Sequence, residues 1–237
     1  MRGIGQGQEE TRIQRVYAAY ADQGVVESKW SLENPGNVAI SQERSRVLAK
    51  MLDRAAFTPL GDKRILEVGC GQGRVLQDLV ELGARPGFLA GVDLRTEAID
   101  AARSRWPEVD LRVADGQRLP FVAESFDVVA VFTVFSSILE GKISKMVARE
   151  ISRVLKPGGG VVHYDFQYRN PWNPEVRGIN RVEVETLFPG FRGEWTSLTL
   201  LPPLARRLGP LTAFAYPALA AVAALRTHLL GVLIKPA

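Results

Sequence analysis

The strongest constraint on the fold is a glycine-rich segment that follows a short apolar run. From Ile65 to Leu76 the chain reads ILEVGCGQGRVL, a pattern that predicts a strand, a tight turn and the start of a helix. Glycine suits such a turn because it accepts positive φ angles and lets a ligand approach the backbone. The spacing is G-x-G-x-G, with Arg74 at the position of the last glycine in a dinucleotide fingerprint. The turn therefore predicts binding of a nucleoside without the usual pyrophosphate arrangement.

Beyond this turn, short apolar runs alternate with amphipathic stretches. Continuous Val, Leu and Phe runs separated by helices are typical of a parallel sheet covered on both faces. We therefore predict an α/β, Rossmann-like, doubly wound sheet with ligand sites at the carboxyl ends of its strands. The predicted strands are 64–68, 88–94, 110–114, 126–134, 160–166, 194–201 and about 228–234, and the predicted helices between them are 73–82, 96–106, 142–154 and 181–188.

The first 60 residues predict a helical cap that precedes the first strand, so the domain proper spans 61–237. Helical periodicity covers Ile13 to Tyr20 and, in a second stretch, Ser41 to Phe57. Between them, the Asn-Pro-Gly at 34–36 predicts a loop.

Two acids follow the glycine turn at the ends of the next two predicted strands. Asp93 closes the second strand, where a carboxylate can accept hydrogen bonds from both ribose hydroxyls. Asp115 closes the third strand, where it can accept from an exocyclic adenine amine.

These acids occur together with the E-x-G-x-G-x-G turn, D-x-x-x-L-P-F from Asp115 and the Leu-Lys-Pro-Gly-Gly at 155–159. In these motifs the chain resembles the class I S-adenosylmethionine-dependent methyltransferases, in particular the methyltransferase type 11 group. The resemblance is close over about 62–166 and implies S-adenosylmethionine as cofactor, S-adenosylhomocysteine as product, and an antiparallel last strand. It implies that Glu67 orients the cationic end of the methionine part, that the three glycines lie against it, and that Asp93 holds the ribose. The implied cofactor residues are Glu67, Gly69, Gly71, Gly73, Asp93, Leu94, Asp115, Gly116 and Phe132.

The acceptor is predicted to be a small organic molecule. The end of the fourth strand carries no Asn/Asp-Pro-Pro-aromatic motif of the nucleic-acid amine methyltransferases, and the only cysteine, Cys70, lies in the cofactor turn. Apolar and aromatic residues around the predicted acceptor side favour a sugar, polyketide or other natural product, with O-methylation ahead of N- or C-methylation. The alternatives are a non-catalytic nucleoside-binding or regulatory protein and a methyltransferase of macromolecules.

The predicted substrate residues come from the cap, from the end of the fourth strand and from the loop after the fifth strand. They are Tyr17, Tyr20, Trp30, Ser136, Tyr168, Arg169 and Trp172, with Arg177 as a further candidate. If the last strand is antiparallel, the apolar insertion 202–227 arches over the site as a lid; the alternative is a helix packed on the flank of the sheet. We expect the insertion and the N-terminal helices to close over the bound cofactor and substrate.

A general base for an oxygen acceptor would come from one of the two histidines in the chain. His228 is the first candidate because it begins the last strand, and His163 is the second, although its position in mid-strand is typical of a core residue. Asp165, at a strand end, is a third candidate.

Composition narrows the class of protein further. One cysteine permits neither an intrachain disulfide nor a cysteine-based zinc cluster, so we expect no metal and a reducing, cytoplasmic location. The net charge of +4 is scattered, so no nucleic-acid partner is expected. The first ten residues contain no apolar core, so no secretory signal is expected there. The uncharged stretch 208–225 is short and rich in alanine, which favours a buried or lid helix over membrane-surface contact, and either over a membrane span.

Overall fold

The chain folds around one seven-stranded sheet with the strand order β3-β2-β1-β4-β5-β7-β6. The structure is a computed structural model, and it describes residues 6–22, 31–170 and 173–237. The strands are β1 (Ile65–Val68), β2 (Leu89–Asp93), β3 (Asp110–Val113), β4 (Phe126–Phe132), β5 (Leu155–Phe166), β6 (Arg192–Leu200) and β7 (Arg226–Ile234). All neighbouring pairs are parallel except those of β7, which runs antiparallel to both β5 and β6. The predicted sheet and its antiparallel last strand are confirmed.

Helices cover both faces because the central strands are apolar on both sides. They are α1 (Gln6–Asp22), α2 (Pro35–Arg54), α3 (Arg74–Glu81), α4 (Thr96–Arg105), α5 (Gly141–Val154), α6 (Arg181–Leu187), α7 (Pro202–Arg207) and α8 (Thr212–Ala220). The interior of α2, with Leu48, Met51 and Leu52, packs with α3 against one face of the sheet. The opposite face packs against α5, and Val184 of α6 lies in the same cluster.

The Asn-Pro-Gly at 34–36 begins a helix, so the predicted loop at this place is wrong. Asn34 is the N-cap of α2, and its side chain accepts a hydrogen bond from Gly36 N at 2.9 Å. Proline fits the first helical position because the amide that it lacks would have no partner in the helix. Helix α2 therefore starts six residues before Ser41 and ends at Arg54.

Strand β5 starts at Leu155, five residues before the predicted position. The Lys-Pro-Gly-Gly segment forms an irregular entry to the strand: the register against β4 shifts between Phe126 and Val128. Because a bulge leaves the chain extended, a sequence with turn residues still joins the sheet here.

The insertion between β6 and β7 lies at the carboxyl edge of the parallel strands. Phe166, the last residue of β5, pairs with His228 near the start of β7, which fixes this edge. Helices α7 and α8 pack on α2 through a small cluster formed by Ile40, Leu200, Ala205, Tyr216 and Ala220. Gly36 makes this packing close, since a Cβ there would lie 2.2 Å from the carbonyl oxygen of Ala205.

Within the described ranges, none of the helices has both the length and the apolar character needed to cross a bilayer.

Candidate active site

The glycine turn joins β1 to α3 with its backbone in the left-handed region. Gly69, Gly71 and Gly73 have φ angles of 75°, 52° and 80°. A Cβ on Gly69 would lie 2.6 Å from Val134 Cγ2, and one on Gly73 would lie 2.8 Å from the Trp106 ring. The glycines are thus required by the turn and by close packing of neighbouring side chains.

Glu67 is the most unusual side chain of the turn region. It is 2% exposed, and its Oε2 has no hydrogen-bond partner among the described residues. Burial raises its pKa well above the ordinary value, and the nearby carboxylates Asp93 and Asp78 act in the same direction. A buried acceptor without a donor fits a site that receives a cationic group, as an α-ammonium group would supply.

Asp93, at the end of β2, is held by two backbone amides. Its Oδ2 accepts from Gly71 N at 2.9 Å and its Oδ1 from Arg95 N at 3.0 Å. The Arg95 guanidinium lies on the same carboxylate, with Nε 3.1 Å from Oδ1 and Nη2 3.4 Å from Oδ2. The carboxylate is therefore fixed in orientation, and Arg95 occupies part of its hydrogen-bonding capacity.

The third strand ends in a smaller polar turn. Asp115 accepts from the backbone and side-chain nitrogens of Gln117, both at 2.9 Å. Gly116 lies between the two, half-buried, as is Leu94 after β2. Because β1, β2 and β3 are adjacent and parallel, Glu67, Asp93 and Asp115 follow one another along a single edge.

Arg44 of α2 reaches this edge, although no sequence motif pointed to it. Its Nη2 donates to Asp78 Oδ2 at 2.5 Å, while Cζ lies 5.8 Å from the Phe132 ring centre and 5.6 Å from that of Tyr164. It is also close enough to lower the pKa of Glu67, against the larger effect of burial. Arg44 shares a helix face with Leu48 and Met51, and a cation at that spacing from apolar residues was the available signal.

The acceptor side of the edge is covered by α1. Tyr17 Oη lies 3.3 Å from Ser137 Oγ, and the Arg95 Cζ lies 4.4 Å from the centre of the Tyr17 ring. Tyr20 Oη accepts from Asn173 Nδ2 at 2.9 Å. Two of the predicted substrate residues therefore lie on α1, which contacts the loop after β4, the loop after β5 and Arg95.

Helix α1 is anchored by a partly buried ion pair that no sequence motif indicated. Arg12 donates to Glu9, to Glu175 Oε2 at 2.8 Å and to the carbonyl oxygen of Ser137 at 2.5 Å. Glu9, 5% exposed, accepts from Leu139 N at 2.7 Å.

Among the remaining predicted substrate residues, the backbone nitrogen of Arg177 donates to Ser136 O at 2.9 Å, and the side chains differ in exposure. Ser136 is fully buried, and its backbone nitrogen donates to Asp165 Oδ2 at 2.9 Å. Tyr168 and Arg169 are exposed on the loop after β5, and Arg177 is held by Ile138 O and Glu183. Trp30 and Trp172 lie outside the described residues.

Both histidines are interior residues. His163 is 0% exposed between Phe135 and Trp195, its two ring nitrogens have no partner among the described residues, and burial lowers its pKa to about 3. His228 is 2% exposed and stacks on Tyr164 with the ring centres 4.8 Å apart. Burial, with a smaller effect of Arg44, lowers its pKa to about 3 as well. His163 thus lies in the core, as its position in mid-strand indicates.

Asp165, beside them at the end of β5, has the opposite shift. Burial raises its pKa to about 6, although Ser136 and the amide of Phe166 donate to it.

Comparisons with known proteins agree with this geometry. Residues 65–159 match the family described as "Methyltransferase domain". Over 164 residues the chain is 37% identical to a fatty-acid O-methyltransferase of Mycolicibacterium smegmatis, covering 66% of this chain and 58% of that one. It is 34% identical to phthiotriol/phenolphthiotriol dimycocerosates methyltransferase 1 of Mycobacterium ulcerans, covering 59% of this chain and 52% of the relative. The matches thus span little more than half the length of these relatives.

Among solved structures, the geranyl diphosphate C-methyltransferase of Streptomyces coelicolor superposes with a TM-score of 0.59. That pair is 17% identical, with 81% of this chain and 77% of the other covered, so the likeness concerns the fold. The family match, the strand order and the glycine turn with its three strand-end acids lead to one conclusion. Residues 65–159 are a class I S-adenosylmethionine-dependent methyltransferase domain.

Proposed function

We propose that the chain transfers the methyl group of S-adenosylmethionine to an oxygen atom of a small, largely apolar acceptor, such as a fatty-acid-like or other natural product. The observation that carries this proposal is the row of acids Glu67, Asp93 and Asp115 along one edge, with Glu67 Oε2 buried and without a partner. The fatty-acid and lipid methyltransferases among the relatives support the acceptor class.

The proposed cofactor contacts follow from this row. Glu67 would accept a hydrogen bond from the methionine ammonium, and the three glycines of the turn, Gly69, Gly71 and Gly73, would lie alongside. Arg44 would neutralise the methionine carboxylate. Asp93 would hold the ribose. Leu94, Asp115 and Gly116 would surround the adenine, and Phe132 would line the passage towards the acceptor.

The cofactor supplies a methyl group already activated on a sulfonium, so the protein has mainly to position the acceptor oxygen in line and exclude water. A carboxylate acceptor is ionised at neutral pH and needs no base. This agrees with the burial of His163 and His228, both with a pKa of about 3. For a hydroxyl acceptor, Asp165 is the proposed base: it is as buried as the histidines, but its pKa of about 6 lies nearer to neutrality than theirs. Tyr17, Tyr20, Ser136, Tyr168 and Arg169 remain the proposed substrate residues.

The test is transfer of labelled methyl from S-adenosylmethionine to a panel of fatty acids, hydroxylated lipids, polyketides and sugars. We expect label in an ester or ether of an apolar acceptor.

Asp93→Ala should weaken binding of S-adenosylhomocysteine by up to ~100-fold, because buried ribose hydroxyls lose their acceptor. Asp100→Ala, an exposed acid of α4, is the matched control. Tight cofactor binding without transfer to any acceptor would instead indicate a nucleoside-binding protein.

A further inference from the structure

The β6–β7 insertion presents an apolar surface to solvent. Helix α8 and its flanking turns expose Phe214 by 84%, Leu211 by 66% and Val222 by 48%. The other exposed residues of this surface are small or apolar: Leu201, Pro203, Pro210, Ala213, Pro217, Ala218, Ala221, Ala223 and Ala224. We call this set the insertion surface. Contiguous apolar patches of this kind mark a place where a partner binds.

The charge within the insertion has one sign. No aspartate or glutamate occurs from residue 195 to the end of the sequence. Arg207, exposed at the end of α7, follows Arg206, which is half-buried and donates to Asn37 Oδ1 at 3.2 Å. Glu33, before α2, is the acid of the neighbouring turn. The surface thus combines exposed apolar side chains with arginine, the combination that binds an anionic lipid interface.

The position of the insertion surface relates it to the cofactor edge. The insertion leaves β6 at Leu200 and enters β7 at Arg226, and β7 pairs with β5 beside the end of β5 at Phe166. Contact with a bilayer through this surface would bring the carboxyl edge of the sheet, where the glycine turn and Asp93 lie, towards the lipid.

We propose that the insertion surface docks on the surface of an anionic phospholipid bilayer, with Phe214 and Leu211 entering the interface and Arg207 facing the phosphates. The choice of a lipid surface over a second copy of the chain follows from charge. A two-fold pairing would bring the arginines of both copies to one interface, and the insertion has no acid to neutralise them. The benefit to catalysis, access to acceptors that reside in the bilayer, rests on the proposed function; the docking itself does not.

The experiment is flotation of the full chain with vesicles of phosphatidylcholine alone and of phosphatidylcholine with phosphatidylglycerol. We expect binding to the anionic vesicles, weakened by salt and by omission of phosphatidylglycerol. Phe214→Ser combined with Leu211→Ser should weaken the binding about tenfold or more, because two apolar side chains no longer leave water. Val122→Ser with Val182→Ser, at valines 75% and 70% exposed elsewhere, is the matched control and should bind as the unmodified protein does.

Arg207→Gln should reduce binding to the vesicles that contain phosphatidylglycerol and leave any binding to phosphatidylcholine unchanged. Arg149→Gln, at an exposed position on α5, should change binding to neither kind of vesicle. The proposal is overturned if the unmodified protein stays with the aqueous fraction, or if the Phe214/Leu211 variant floats as well as the control. It is also overturned if light scattering shows a dimer that this variant loses while vesicles bind neither protein, which would assign the surface to a second copy. Vesicle binding without methyl transfer would refute the proposed function and leave the docking intact.

Discussion

At the scale of single residues, the Asp93 carboxylate has two competing sets of donors: the Arg95 guanidinium and, in the proposed complex, the ribose hydroxyls of the cofactor. Its orientation comes from the amides of Gly71 and Arg95, but the Arg95 guanidinium takes further acceptor sites on the same oxygens. Ribose hydroxyls that donate to Asp93 compete with that guanidinium. Since Arg95 also lies over the Tyr17 ring, the competition links the ribose site to α1.

We therefore expect Arg95→Ala to bind S-adenosylhomocysteine about threefold to tenfold more tightly than the unmodified protein, because a competing, partly exposed ion pair is removed. Isothermal calorimetry measures the change. Arg103→Ala, at an exposed ion pair of the same helix, should leave the affinity unaltered. Weaker binding in Arg95→Ala would mean that the guanidinium is itself a cofactor contact.

Arg44 gives a second prediction at this scale. It joins Asp78 in a pair with side-chain exposures of 18% and 9%, so Arg44→Met leaves a buried carboxylate unpaired. The free energy of unfolding should fall by about 3 kcal/mol, whereas Arg54→Met, at an exposed pair with Glu194, should change it by less than about 1 kcal/mol. Urea denaturation compares the two.

Arg44 is also the proposed partner of the methionine carboxylate. Folded Arg44→Lys protein should therefore bind the cofactor more weakly, and equal affinity would contradict that role.

At the scale of elements, α1 is held at the site mainly by polar contacts through Arg12 and Glu9. Arg12→Met removes the links to Ser137 and Glu175, so amide exchange in α1 should become faster. S-adenosylhomocysteine should slow exchange in α1 of the unmodified protein and do so less in the variant. Arg15→Met, exposed on the same helix, is the control. If cofactor product leaves exchange in α1 and in 202–227 unchanged, closure over the site is refuted.

Elements between 64 and 166 could be predicted from the sequence because local pattern and tertiary position agree there. The apolar run before Gly69 is short and buried on both sides, and each helix has one apolar face. The misses at Pro35 and at Leu155 share one cause: proline and glycine signal turns, but a cap or a bulge uses the same residues. Arg44 and Arg12 were missed because a charged residue in a helix is ordinarily solvated, and only the fold shows what it meets.

At the scale of the whole molecule, the stability of the fold should depend on pH through its buried titratable groups. Asp165 is more easily protonated in the folded state, with a pKa of about 6, and this favours folding as the pH falls. His163 and His228 act in the opposite direction, since burial lowers both pKa values to about 3. Each group contributes to the same titration, so a single substitution is needed to separate one from the others.

His163→Phe makes that separation. In the unfolded chain the imidazole takes up a proton below about pH 6.5, while the folded protein, in which the pKa of His163 is about 3, does not. The unmodified protein therefore loses about 1.4 kcal/mol per pH unit through this group on acidification below pH 6.5. Between pH 8 and pH 5, His163→Phe should lose about 2 kcal/mol less, because the contributions of Asp165 and His228 are common to both proteins. Urea denaturation at the two pH values measures the difference, and Val161→Ala, at a buried neighbour without a charge, should destabilise equally at both. Parallel pH profiles for the unmodified protein and His163→Phe would show that His163 is not held neutral by the fold.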